Sequence, residues 1–102
     1  MEEKRALSKR QFAQSDFFIE PYGLMDEEGT FFATLDFKLW GKKLNLLSYF
    51  TLDNGRKIFA SSWQREGYLG LPDIRLGSRV ELTFKRAKKT GISYLKTAKP
   101  VV

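Results

Sequence analysis

Between Phe31 and Trp40 two sets of side chains alternate without a break: Phe31, Ala33, Leu35, Phe37 and Leu39 against Phe32, Thr34, Asp36, Lys38 and Trp40. A period of two sustained this far predicts a β-strand with the first set turned to a core and Trp40 outward at its end. The next β-prone stretch, from Leu44 to Trp63, is split by Asp53-Asn54-Gly55, a strong hairpin signal. A two-residue turn at Asn54-Gly55 would set Leu52 opposite Lys57 on one face. A three-residue loop with Gly55 left-handed instead pairs Phe50 with Ile58, Tyr49 with Phe59 and Ser48 with Ala60, and it keeps Lys57 out of the core. The second register is therefore the expected one. It gathers Leu46, Phe50, Leu52, Ile58 and Ala60 on the core side and Leu47, Tyr49, Thr51, Lys57, Phe59, Ser61 and Trp63 on the opposite side.

Patterns elsewhere fill in the remaining elements. Residues 1–14 mix charges around Leu7 and Phe12 and are expected to form a short arm, flexible or briefly helical, ahead of a single domain over 15–102. Ser15 to Leu24 is β-prone but interrupted by Pro21 and Gly23, which predicts an edge strand, since proline cannot donate to a central ladder. Asp26-Glu27-Glu28-Gly29 is a turn. Gln64 to Gly77 contains Gly67, Gly70, Pro72 and Gly77 and reads as a loop or at most one helical turn, with Leu69, Leu71 and Ile74 plugging an end of the core. Arg79 to Lys85 alternates again, with Val80, Leu82 and Phe84 inward. Lys88-Lys89-Thr90-Gly91 turns the chain into a last strand, Ile92 to Ala98, whose Tyr94 and Lys96 face out if Leu95 faces in.

Composition narrows the class. At 102 residues the chain suits one domain with one modest core, and 42% hydrophobic with 15% aromatic residues is enough to fold it. It holds no cysteine, so disulfides and thiolate metal sites are excluded, and no histidine, which removes the usual general base near neutral pH. No apolar run approaches a membrane span and Met1-Glu2-Glu3-Lys4-Arg5 does not lead into a signal-peptide core, so a soluble cytoplasmic protein with no membrane partner is expected. The acids after Gly29 (Asp36, Asp53, Glu66, Asp73 and Glu81) are dispersed and no Walker-type phosphate loop is present, so catalysis is not expected and no cofactor or metal is implied. The net charge of +6 is unevenly placed: residues 1–29 carry four basic and seven acidic side chains, residues 30–102 fourteen and five. A basic field over the β-rich part favours a polyanionic partner.

Five strands from Thr30, with a plug between the third and fourth and a final hairpin, form the layout of an OB-fold barrel. Tyr49-Phe50-Thr51-Leu52-Asp53-Asn54-Gly55-Arg56-Lys57-Ile58 resembles the second and third strands of nucleic-acid-binding OB domains of the single-stranded-DNA-binding type, and Gly77-Ser78-Arg79-Val80-Glu81-Leu82 resembles their approach to the fourth strand. The resemblance spans residues 30–100 at the level of pattern; the Gly/Pro-rich linker and an added N-terminal strand depart from it, and SH3-like and PUA-like barrels share the outline. It implies an all-β fold, a small five- to six-stranded OB-like antiparallel barrel with a short N-terminal arm. It also implies a ligand lying across the second and third strands between two loops, here Gly41-Lys42-Lys43 and Lys88-Lys89-Thr90-Gly91.

Exposed rings that stack bases beside cations that follow phosphates hold single strands without sequence preference. The residues expected to do this are Trp40, Lys42, Lys43, Tyr49, Lys57, Phe59, Trp63, Lys85, Lys88, Lys89, Tyr94 and Lys96. The function so read is non-catalytic binding of single-stranded nucleic acid, DNA favoured over RNA, accessory to DNA or RNA metabolism. The rival reading is a protein-interaction module that docks an acidic protein partner through the same aromatic and basic face; self-association through an N-terminal edge strand is a third. Each ring also has a structural role open to it: Tyr49 and Phe59 as a covered cross-strand pair, Trp63 as a core lid, the lysines as solvated turns.

Overall fold

The computed structural model describes Leu7–Ser8 and residues 23–102. Expectations for the rest of the arm and for residues 15–22 of the proposed edge strand lie outside the described residues. The elements are β1 (Leu7–Ser8), β2 (Gly23–Leu24), β3 (Gly29–Trp40), β4 (Leu46–Leu52), β5 (Lys57–Ser62), a 3-10 segment (Gln64–Asp73), β6 (Arg79–Arg86) and β7 (Ser93–Pro100). The ladder runs β2-β5-β4-β3-β6-β7, with β1 beside β3. β3 to β7 pair antiparallel, while the short β1 and β2 are parallel additions, Leu7 to Leu39 and Gly23 to Ile58. The path does not close on itself, so the expected antiparallel barrel is not completed: β5 and β7 come near one another without sharing a ladder, and the described strands form an all-β sheet with a seam.

The hairpin follows from its turn. Phe50 pairs with Ile58, Tyr49 with Phe59 and Ser48 with Ala60, and Gly55 sits at φ 88 between Leu52 and Arg56. Gly55 N–H donates to the Leu52 carbonyl at 2.8 Å and Asn54 Oδ1 accepts from Arg56 N–H at 2.9 Å, so the loop is closed by its own residues. A Cβ at Gly55 would meet no atom within 4 Å, so only backbone strain opposes a substitution. Gly55→Ala is therefore expected to cost about 1 kcal/mol of unfolding free energy, and Gly55→Asn less, since asparagine tolerates the left-handed region. Chemical denaturation of the two variants reads this order directly.

The main core holds Ala33, Leu35, Leu46, Phe50, Leu52, Ile58, Val80, Leu82, Phe84 and Leu95, closed at one end by Leu71 and Ile74. Phe31 adds an edge contact to Phe84 at 6.2 Å. In β3 the alternation breaks where the sequence shows no break. Leu35 pairs with Phe50 but Phe37 pairs with Tyr49, a β-bulge that inserts Asp36 and turns every later side chain to the opposite face. Phe37 and Leu39, expected in the main core, instead form a second buried cluster with Tyr49, against which Leu47 and Phe59 pack. The same shift carries Lys38, expected outward, into the main core's end. It is 4% exposed, and its ammonium donates to the carbonyls of Leu71 (3.0 Å), Pro72 (3.2 Å) and Ile74 (2.7 Å). Burial lowers its pKa below the ordinary lysine value, with the charge of Asp73 opposing.

The linker is more ordered than a glycine- and proline-rich loop suggests. Its 3-10 turns are interrupted by a left-handed run over residues 67–70, in which Tyr68 (φ 53) and Leu69 (φ 56) are not glycine. Each such residue costs roughly 1–2 kcal/mol. Tyr68 is held edge-on to Trp40, ring centroids 5.1 Å apart, and Leu69 packs on the main core, so tertiary contacts fix what the local backbone disfavours. No helix among the described residues is long and apolar enough to cross a membrane.

Candidate nucleic-acid interface

Where β5 and β7 fail to zip, the seam opens into a cleft of about 580 Å³, lined by Ser61, Ser62, Trp63, Arg65, Glu66, Leu69, Tyr94 and Leu95. Three elements build it. β5 ends in Ser61 and Ser62 and delivers Trp63 at its exit; the linker contributes Arg65, Glu66 and Leu69; β7 contributes Tyr94 and, as the floor, the buried Leu95. Trp63 is 43% exposed and Tyr94 47%, so a ring from each side of the seam is open to a ligand. Lys85 lies directly across the β6–β7 ladder from Tyr94, and Lys96 is the extra residue of a bulge between the Thr83–Thr97 and Phe84–Leu95 pairs. Both lysines are exposed.

One basic turn is tied to this seam by a hydrogen bond, and the other leads along the chain into Tyr94. In the β3–β4 turn, Gly41 N–H donates to the Asn45 carbonyl at 2.8 Å, and a Cβ at Gly41 would come within 2.2 Å of Asn45 Oδ1, so any other residue there would displace the Asn45 side chain. Asn45 Nδ2 then donates to Ser61 Oγ at 2.8 Å, which ties the turn carrying the exposed Lys42 and Lys43 to a cleft-lining residue. Trp40 is 38% exposed with one edge against Tyr68. The β6–β7 turn carries Lys88 and Lys89 just ahead of Tyr94. Its base is pinned to the acidic turn: Arg86 donates to the carbonyls of Asp26 (2.9 Å) and Gly91 (3.0 Å), and Ser93 Oγ to that of Glu27 (2.9 Å). Arg56 pairs with Asp26 at 2.8 Å and Glu27 at 3.3 Å, and the hydrogen bond from Arg56 holds the Asp26 pKa below its usual value. Asp26 and Glu27 thus meet arginine at the far end of the hairpins, not in the cleft.

Tyr49, Phe59 and Lys57 are set apart from this group. The pairing places them on the face expected for them, but Tyr49 is only 8% exposed, its ring between Phe37 at 6.2 Å and Phe59 at 5.4 Å. Burial raises its pKa. Its ring belongs to the second core cluster and is closed to a stacking base. Phe59 is half-buried beside it, and Lys57 is exposed and donates to Thr51 Oγ1 at 3.1 Å, which in turn donates to Asp36. Of the rings expected to stack, Trp63 and Tyr94 are therefore the open ones, with Trp40 partly so.

Arg65 and Glu66 carry no mark in the sequence, since nothing in a glycine-rich loop distinguishes one charged pair. Their only signal is adjacency to Trp63. The pair is loose, 3.9 Å apart and largely in solvent, a geometry that contributes little to stability. Arg79 is engaged elsewhere, paired with Asp53 and lying 5.6 Å over the ring of Phe32. Among the described residues no group of three or more carboxylates is placed to hold a metal ion. The cleft can therefore offer two aromatic faces, an apolar floor, one cation, one carboxylate and two serine hydroxyls. Comparison with protein-family models, with curated proteins and with solved structures finds no match for this chain.

Proposed function

We propose that the protein binds single-stranded nucleic acid without catalysing a reaction on it, and that β3 to β7 are an OB-like barrel whose β5–β7 seam stands open as the binding cleft. The observation that carries this is convergence: Trp63 and Tyr94, thirty-one positions apart, line one cleft together with the cation of Arg65. Bases stack on such rings because every base has a π-face, and Arg65, Lys85 and Lys96 are placed to follow the phosphates. The strand order and the plugged core end support the OB-like description; the parallel β1 and β2 are additions to it.

Trp40→Phe leaves Trp63 as the sole tryptophan, and titrating that variant with oligothymidine at low salt is expected to quench its fluorescence to saturation. With about four phosphates contacted, affinity for a single strand should fall with a log–log slope of roughly −3, about fiftyfold between 50 and 200 mM salt. Absence of binding to both DNA and RNA single strands at 50 mM salt would overturn the reading. Binding of an acidic peptide in their place would assign the surface to a protein partner.

A further inference from the structure

We propose that the seam cleft takes one base of the bound strand and selects guanine through the Glu66 carboxylate. This rests on the nucleic-acid reading above and deepens it from stacking alone to recognition of one base. A cleft of about 580 Å³ is within the range of small-molecule sites and larger than a nucleobase needs. Its walls suit a flat ring: Trp63 and Tyr94 from the two sides of the seam, with Leu69 and Leu95 as apolar lining. Sequence-tolerant stacking explains those four residues. It does not explain a carboxylate among them, which a polyanion would ordinarily repel.

An ionised carboxylate only accepts hydrogen bonds, through two oxygens set side by side. Guanine presents two adjacent donors on its Watson–Crick edge, N1–H and the N2 amino group, and satisfies both oxygens at once. Adenine and cytosine each present one amino group beside a ring-nitrogen lone pair, and thymine and uracil present one imide N–H between two carbonyls, so every other base sets an acceptor against the carboxylate. Single-stranded bases are open to such edge contacts. The guanine O6 next to N1 needs a donor. Ser61 Oγ accepts from Asn45 at 2.8 Å, which leaves its own proton to donate. Arg65, 3.9 Å from Glu66 and mostly in solvent, is free to exchange that weak pairing for a phosphate as the base enters.

The backbone that presents Glu66 is set before any ligand arrives. Glu66 N–H donates to the Trp63 carbonyl at 3.1 Å, as does Tyr68 N–H at 3.1 Å, and the left-handed run that follows is clamped by Tyr68 on Trp40 and Leu69 on the core. Strained backbone held in place by its surroundings is the kind of device that preorganises a binding site.

The test uses fluorescence anisotropy with ten-nucleotide oligothymidine and the same strand carrying one central guanine or one central adenine. The wild-type protein is expected to bind the guanine strand about tenfold more tightly than the adenine strand, in line with good bidentate base contacts. Glu66→Gln, at an exposed linker position, should melt within a degree or two of wild type, bind oligothymidine more tightly because a charge that repels the backbone is gone, and bring the guanine and adenine strands to within twofold. If oligothymidine binds but guanine and adenine are bound equally, or if Glu66→Gln keeps the preference, base selection by Glu66 is overturned while single-strand binding stands. If no strand binds at 50 mM salt, the nucleic-acid reading fails and this inference with it.

Discussion

Lys38→Met is expected to lower the unfolding free energy by about 2–4 kcal/mol, because the ammonium it removes satisfies three carbonyls at the closed end of the core. Methionine keeps the length of the stem and its packing, so the loss reports the hydrogen bonds and not a cavity. In a domain of this size the melting temperature should drop by roughly 10–20 °C. Hydrogen exchange at Ile74, whose N–H donates to Leu71, should accelerate ahead of exchange in the hairpin, since the linker loses its anchor to β3. The pH dependence carries a second signature. Burial puts the folded pKa of Lys38 below the unfolded 10.5, so between those two values the unfolded chain holds the extra proton and wild-type stability rises with pH. Tyr49 acts oppositely: its folded pKa is above the ordinary 10.0, the unfolded tyrosine ionises first, and stability falls as pH passes that value. The wild type should therefore gain stability on the approach to pH 10 and lose it beyond, whereas Lys38→Met keeps only the loss. Wild-type stability in the methionine variant would show that the ammonium is not holding the linker.

Lys38 also shows where the sequence stops being informative. The hairpin register was legible because Asp53-Asn54-Gly55 admits few loops and only one of them keeps Lys57 out of the core. Nothing similar marks the bulge. Alternation continues unbroken through Asp36, and a single unpaired residue there inverts Phe37, Lys38 and Leu39 without any change in composition. Once inverted, Phe37 and Leu39 give Tyr49 and Phe59 a partner cluster, so the face that parity alone leaves open is in part a second core. The cleft was half legible. Trp63 and Tyr94 could each be set on an outward face from local pattern, but their meeting depends on how far β5 and β7 wrap toward one another, which is a property of the whole sheet. Arg65 and Glu66 could not be found, because a glycine-rich linker carries no sign of the path its backbone takes, including the left-handed run at Tyr68 and Leu69 that propensity argues against.

Trp63→Ala and Tyr94→Ala are each expected to weaken single-strand binding by about 1–3 kcal/mol, a loss of roughly five- to a hundredfold, read as the shift of an anisotropy titration at fixed salt. Both side chains are more than two-fifths exposed, so neither substitution should change stability by more than about 1 kcal/mol. The double variant decides how the cleft is used. Rings stacked on different bases act independently, and their losses add to about 2–6 kcal/mol. Rings that clasp one base share it, so once the first is gone the second has less to hold and the double variant falls short of the sum. Selection of a single guanine requires the second pattern. Tyr49→Phe is the matching control: it keeps the ring packed against Phe37 and Phe59 and should leave affinity unchanged. Were Tyr49→Phe to weaken binding as much as Tyr94→Ala, the strand would have to cross β4 and β5 and not the seam. The salt slope separates the rings from the cations in the same experiment. Alanine at Trp63 or Tyr94 should shift the whole log–log line and leave its slope intact, whereas removing the charge of Lys85 or Lys96 should flatten it by about 0.7 for each phosphate left without its cation.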